Sequence, residues 1–169
     1  MNRRIFGITG WKNSGKTTLT EKLVAELVRR SWKVSTVKHA HHDFDIDKPG
    51  ADSFRHRQAG AMEVAIVSGR RWALMHELRG EDEPTLEAIL SRLAPSDIVL
   101  VEGYKREAHK KIETRRLEAK DRTPLSAGDP HIIAVASDFP IVGEDLPVFD
   151  LDDTNSIADF IERATGLTR

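Results

Sequence analysis

Gly10-Trp11-Lys12-Asn13-Ser14-Gly15-Lys16-Thr17 fits G-x-x-x-x-G-K-[ST] at every fixed position, and its flanks narrow the fold further. Ile5 to Thr9 is a short apolar run, while Leu19, Leu23 and Leu27, with Val24 and Val28 beside them, recur at helical spacing. Strand, loop and helix in that order are the context such a loop requires. Gly10 and Gly15 let the backbone curl with its N–H groups inward, and the helix N-terminus adds a positive dipole, so the segment is a cradle for a triphosphate. Lys16 is then expected to reach the β and γ phosphates, and the Thr17 hydroxyl to ligate a Mg²⁺ ion bridging them. Asn13, Ser14 and Thr18 complete the expected nucleotide-contacting set with Gly10 and Gly15. A glycine-rich turn without function would not bring all fixed positions and both structural contexts together.

Composition limits what else the chain can be. At 169 residues and 39% hydrophobic it matches one domain with one buried core. With 26 Lys and Arg against 27 Asp and Glu, no whole-protein field draws it to nucleic acid or membrane, so any anion site is local. It has no cysteine, which removes disulfides, thiol nucleophiles and thiolate metal sites. The apolar run before Gly10 is too brief for a signal-peptide core or a membrane span, and a cytoplasmic location is expected.

Further along, Val34 to Lys38 reads as a strand one helix length after the first, completing a βαβ unit. His39 to Gly50 reads as a surface loop, Ala51 to Ala59 as a short helix, and Glu63 to Val67 with Arg71 to Leu78 as a hairpin turning at Ser68-Gly69. A helix opening at Pro84 presents Leu86, Ile89, Leu90 and Leu93, and Ile98 to Val101 is apolar on both faces, as a central parallel strand should be. Lys105 to Arg122 holds eight basic and four acidic residues. It is expected to contain a short helix and a strand around Ile112 to Arg116, forming a solvated basic face or an anion-binding stretch. Ile132 to Ala136 and Val148 to Leu151 read as strands, and Ile157, Phe160, Ile161 and Ala164 as the buried face of a last helix stopped by Gly166. The expectation is an α/β fold of the P-loop NTPase type. It is a single domain over residues 1–169, with a mostly parallel sheet, helices on both faces and a β-hairpin insertion.

A Mg²⁺-triphosphate site also needs a carboxylate at the C-terminal edge of a neighbouring strand, and Glu102 sits there, with Gly103 expected to leave room for phosphate or water. Asp138, after the strand Ile132 to Ala136, stands where many GTP-binding folds place the aspartate that accepts from guanine N1 and N2. Such a carboxylate is left unpaired against adenine, although the usual N-K-x-D form is absent. His39, His41 and His42 beside Asp43, Asp45, Asp47 and Asp52 suggest a metal, but their spacing fixes no ligand set. Arg55 and Arg57 do not share a helix face, so at most one approaches a phosphate.

The phosphate loop, the run Val37-Lys38-His39-Ala40-His41-His42-Asp43-Phe44-Asp45-Ile46-Asp47, the segment Pro49-Gly50-Ala51-Asp52-Ser53-Phe54-Arg55-His56 and the strand end Leu100-Val101-Glu102-Gly103-Tyr104-Lys105 together resemble one family, the molybdopterin-guanine dinucleotide biosynthesis adaptor proteins (MobB). The resemblance runs from residue 5 to about residue 138. It implies a GTP-binding, weakly GTP-hydrolysing homodimer that assists the guanylyltransferase attaching GMP to molybdopterin. It also places the histidine-aspartate loop where switch segments approach the γ phosphate, so that Asp43, Asp45 or Asp52 would reach Mg²⁺ through water. Arg55 matches the family. Some wider relatives carry a lysine directly after the first loop glycine; Trp11 stands there in this chain. A small-molecule kinase or a metal-delivery GTPase would use the same loop. For the dimer, the strand Arg71 to Leu78 is the expected contact, with Trp72, Leu74, His76 and Leu78 covering the core and Met75 facing the partner.

Overall fold

A computed structural model describes residues 3–40 and 44–168. In chain order the elements are β1 (Ile5–Thr9), α1 (Lys16–Arg29), β2 (Val34–Lys38), α2 (Asp52–Gln58), β3 (Glu63–Val67), β4 (Trp72–His76), α3 (Leu86–Arg92), β5 (Ile98–Glu102), β6 (Lys111–Arg115), β7 (Ile132–Ser137), β8 (Val148–Asp150) and α4 (Thr154–Thr165). The chain divides into two compact units, Met1–His39 with Arg92–Arg169, and Ala40–Ser91.

The first unit is built on a six-stranded sheet in the order β2-β5-β1-β6-β7-β8, with every neighbouring pair parallel. β5 lies between β1 and β2, so the expected βαβ crossover is present but skips one position. The central place of β5 follows from its composition, since all five of its residues are buried. A parallel sheet gathers the C-terminal ends of its strands on one edge, and here that edge carries the loop after β1 together with Lys38, Glu102 and Ser137.

α1 and α4 pack on each other and on one face of the sheet. Leu19, Leu23 and Leu27 meet Ile157, Ala158 and Ile161 over Phe6, Ile8, Ile98, Leu100, Ile112, Ala134 and Ala136 in one buried cluster. Each fully buried Leu or Ile in it contributes roughly 1.5–3 kcal/mol. α4 is bounded as its sequence implies: the Asp153 carboxylate accepts from Ser156 N at 3.1 Å, and Gly166 closes the helix at φ 65°.

The other face of β6 differs from expectation. No helix forms between Lys105 and the strand; those residues make turns. Nor is the strand a solvated basic face. Ile112 belongs to the cluster under α1 and α4, so by strand alternation Lys111, Glu113 and Arg115 point the opposite way, and all three are buried. Lys111 Nζ lies 2.6 Å from Asp129 Oδ2. Arg115 Nη2 lies 2.7 Å from Glu113 and 2.9 Å from Glu144. Glu113 also accepts the backbone N–H groups of Leu125 and Ser126 at 2.9 and 3.1 Å. Within the strand itself the positive charges meet carboxylates from elsewhere in the chain, Asp129 and Glu144, and the pairs hold residues 125–131 against the sheet.

In the second unit β3 and β4 pair antiparallel, with Val64 opposite Met75 and Val67 opposite Trp72, forming the expected hairpin insertion. Arg57 of α2 is clamped by Asp45 at 2.6 Å, by Asp47, and by Glu77 at 2.8 Å. α2 packs against β3. The facing of the hairpin reverses the expectation: Val64 and Met75 are buried, while Val67, Trp72 and Leu74 are 75%, 71% and 48% exposed. Val64 and Met75 are cross-strand partners on the covered face, and the bulkier Trp-Leu side is the open one. Among the described residues no helix is long and apolar enough to cross a membrane.

Candidate functional site

β1 delivers the chain into a loop that only glycine can open. At Gly10, with φ +149°, an added Cβ would lie 2.3 Å from Ser14 Oγ and 2.6 Å from Thr114 Oγ1. The loop is stapled from behind: Ser14 Oγ lies 2.7 Å from Thr114 Oγ1, which donates to Thr9 O at 3.1 Å. The Ser14 hydroxyl is thus spent on β6, and its backbone N–H donates to Trp11 O at 3.2 Å. Asn13 takes φ +63°, and Gly15 enters α1 at φ +93°. Asn13, Thr17 and Thr18 are exposed at the head of α1.

Lys16 Nζ donates to Trp11 O at 2.7 Å, closing the loop on itself. Burial is the main cause that holds its ammonium below the ordinary lysine value; Glu102 works against that shift, and Lys105 and Lys38 add to it. The neighbouring cations make the surroundings receptive to an anion. Thr17 Oγ1 donates to Glu102 Oε1 at 2.8 Å, joining two residues 85 positions apart. Glu102 is buried at the last position of β5. Lys38 Nζ stands 3.3 Å from Glu102 Oε1 and 3.4 Å from Thr17 Oγ1. A hydroxyl and a carboxylate in contact beside a phosphate loop are the hard oxygen donors Mg²⁺ takes, so the residues present fit that ion.

Sequence reasoning gave Lys38 no role. Its signal was positional: Lys38 and Glu102 end adjacent parallel strands and are register partners. Gly103 has φ +92°, and an added Cβ would meet His39 Cβ at 3.2 Å, so the glycine makes room for the chain leaving β2. Trp11, which had no assignment, donates from Nε1 to Thr123 O at 2.8 Å, and Lys105 Nζ sits 3.8 Å from the centre of its ring.

Asp138 follows β7 on the loop's edge of the sheet. Its Oδ1 accepts Leu117 N at 2.8 Å and its Oδ2 accepts Arg116 Nε at 3.2 Å, while Arg116 Cδ comes within 3.1 Å of the Cβ position of Gly15. Asp52, in the second unit, is 91% exposed with Arg55 Nη1 at 4.0 Å. Asp45 and Asp47 are engaged by Arg57. His41, His42 and Asp43 lie outside the described residues, and among the described residues no three His, Asp or Glu side chains gather to hold a metal.

Against known proteins, residues 5–138 match the family model described as MobB, molybdopterin guanine dinucleotide synthesis protein B. The chain is 42% identical over 159 residues to the molybdopterin-guanine dinucleotide biosynthesis adapter protein of Escherichia coli, covering 93% of this chain and 90% of that one. It is 41% identical to the protein of the same name from Haemophilus influenzae, over 96% and 90% of the two chains. A crystal structure of a MobB homolog from Bacillus stearothermophilus superposes with a TM-score of 0.74 at 32% identity, covering 98% of this chain and 99% of the other.

Proposed function

This chain belongs to the family of molybdopterin guanine dinucleotide synthesis protein B, and from that premise we propose that it is an adapter in molybdopterin guanine dinucleotide biosynthesis that binds GTP with Mg²⁺ and hydrolyses it slowly. The observation that carries the nucleotide reading is the Thr17–Glu102 contact of 2.8 Å beside Lys16 at the head of α1. The adapter reading rests on the names of its relatives.

The chain's own groups divide the work. The backbone N–H groups of residues 10–15 and the N-terminus of α1 receive the phosphates. Lys16 leaves the Trp11 carbonyl and takes the β and γ oxygens, a move its desolvated ammonium favours. Thr17 and Glu102 would hold Mg²⁺, which when bound offsets the charge of the bridged phosphates. Glu102, buried and facing that position, also serves to orient a water toward the γ phosphorus. Asp138 would read guanine N1 and N2 by exchanging the Arg116 and Leu117 donors for those of the base. The exposed face of Val67, Trp72 and Leu74 is the surface on which a homodimer would form. The guanylyltransferase and molybdopterin are the further partners.

The test is a titration with GTP and ATP, with and without molybdopterin and the guanylyltransferase, followed by phosphate release without any acceptor. GTP should bind more tightly than ATP, and phosphate should appear without an alcohol to accept it. An ATP preference overturns the guanine assignment, and phosphorylation of an added alcohol at the expense of release favours a kinase.

A further inference from the structure

We propose that Lys38 is a stand-in for the divalent cation: without nucleotide its ammonium caps the hydrogen-bonded Thr17 and Glu102 oxygens, and when Mg²⁺-triphosphate binds it moves to the γ-phosphate. It therefore opposes metal entry and then assists turnover. The proposal rests on the reading of Gly10–Thr17 as a Mg²⁺-triphosphate site.

Three atoms form the arrangement. Thr17 Oγ1 and Glu102 Oε1 are 2.8 Å apart, and Lys38 Nζ lies 3.3 Å from the carboxylate oxygen and 3.4 Å from the hydroxyl. Those two oxygens are the ones assigned to the metal. Mg²⁺ binds oxygen at about 2.0–2.1 Å, so an ion bound to both oxygens and a lysine ammonium capping them cannot share the same side of the pair.

The backbone of Lys38 is fixed while its head is free. Lys38 pairs in register with Glu102 across the β2–β5 ladder, and His39 N donates to Glu102 O at 3.0 Å, so its Cα cannot drift from the carboxylate. Its side chain is 57% exposed, and a four-carbon stem lets the ammonium swing without disturbing the sheet. Of the other lysines near the site, Lys16 donates to the Trp11 carbonyl and feels Glu102 from further off, and Lys105 sits over the Trp11 ring. Lys38 makes the ion-pair contact with Glu102, whose side chain is only 9% exposed and needs a counter-charge whenever the metal is absent.

Once metal is bound, the same proximity becomes repulsive, and the nearest available anion is the γ phosphoryl group held by Lys16 and Thr17. An ammonium there stabilises negative charge on the phosphoryl oxygens. An inert ion pair between Lys38 and Glu102 would have neither effect. It would contribute a little to stability and leave the metal requirement of nucleotide binding unchanged.

The experiment measures binding of a fluorescent GTP analogue against Mg²⁺ concentration, and single-turnover hydrolysis at saturating Mg²⁺, for the full chain and for Lys38→Met, Lys38→Gln and Lys38→Arg. Both neutral variants should lower the half-saturating Mg²⁺ concentration by about fivefold and slow hydrolysis by about tenfold or more. Lys38→Arg should keep the metal requirement of the unaltered chain. Folding of each variant is followed by circular dichroism, and the Met and Gln variants serve as each other's control. A half-saturating Mg²⁺ concentration that is unchanged or raised in the folded neutral variants overturns the role of Lys38 while leaving the site reading intact. Loss of Mg²⁺-dependent binding in the unaltered chain, or its persistence in Lys16→Ala, overturns the site reading and this proposal with it.

Discussion

β5 and β6 flank β1 on either side, and both are buried at all five positions. β5 is Ile-Val-Leu-Val-Glu and keeps its single charge for the last residue, on the edge beside the phosphate loop. β6 is Lys-Ile-Glu-Thr-Arg and buries three charges along its length. Equal burial therefore conceals opposite uses. The partners of Glu102 are the Thr17 hydroxyl and the half-exposed ammonium of Lys38. The partners of Lys111, Glu113 and Arg115 are carboxylates and backbone amides of the segments that cover them. Charge at a strand's C-terminal edge serves a ligand, and charge inside the strand serves the fold.

The largest effect that separates the two strands is on stability. Glu113→Ala leaves Arg115 without its nearest carboxylate and frees two backbone amides, and removing one member of a buried pair costs about 3–5 kcal/mol. Urea unfolding should register that loss. A cost within the error of the measurement would mean that the β6 charges are dispensable. On the other strand, Glu102→Gln should lower Mg²⁺-dependent hydrolysis about tenfold or more while changing nucleotide affinity by less than about threefold, read from single-turnover rates beside equilibrium binding. An unchanged rate removes Glu102 from the mechanism.

The second unit supplies a control for both strands, because its exposed apolar face belongs to neither. Trp72→Glu should convert a dimer to monomer by light scattering with helix and strand content preserved. A variant that remains dimeric sends the interface elsewhere.

The smallest effect is a pH dependence on the β6 side. Burial, helped by the charge of Lys111, pushes the His109 imidazole down from 6.5 to about 4, and both ring nitrogens are buried without a partner. Between those values the unfolded chain takes up a proton that the folded protein refuses, so stability falls as pH drops from 6.5 towards 4 and is fully present above 6.5. His109→Leu should lose less stability than the unaltered chain over that interval in denaturant titrations. Parallel losses would place the acid sensitivity in other groups.

Much of this was legible in the sequence. β2 and β3 have the bounds their patterns imply, and the strand-loop-helix around residues 10–17, the end of β5 at Glu102 and the hairpin were readable because glycine punctuation and hydrophobic period are local signals. What escaped depends on pairing between distant segments. Lys38 meets Glu102 only because β5 inserts beside β2. The charges of β6 turn inward only because Asp129 and Glu144 arrive from later in the chain. That Gly103 makes room for His39 likewise depends on β2 and β5 lying side by side. Met75 was placed outward because the bulkier Trp-Leu side of β4 looked like the core side, whereas the Val64–Met75 pair is the buried one.

The most direct test of the nucleotide site is calorimetric titration of GTP in the presence and absence of Mg²⁺, for the unaltered chain and for Lys16→Ala. The Lys16 ammonium donates to the Trp11 carbonyl and the residue lies outside the core cluster, so its removal should spare the fold. The expected result is tight binding that requires Mg²⁺ in the unaltered chain and a loss of about a hundredfold or more in the folded variant, as befits a charged hydrogen-bonding partner of the phosphates. Equal GTP affinity in the two proteins would contradict the assignment of Gly10–Thr17 as the triphosphate site.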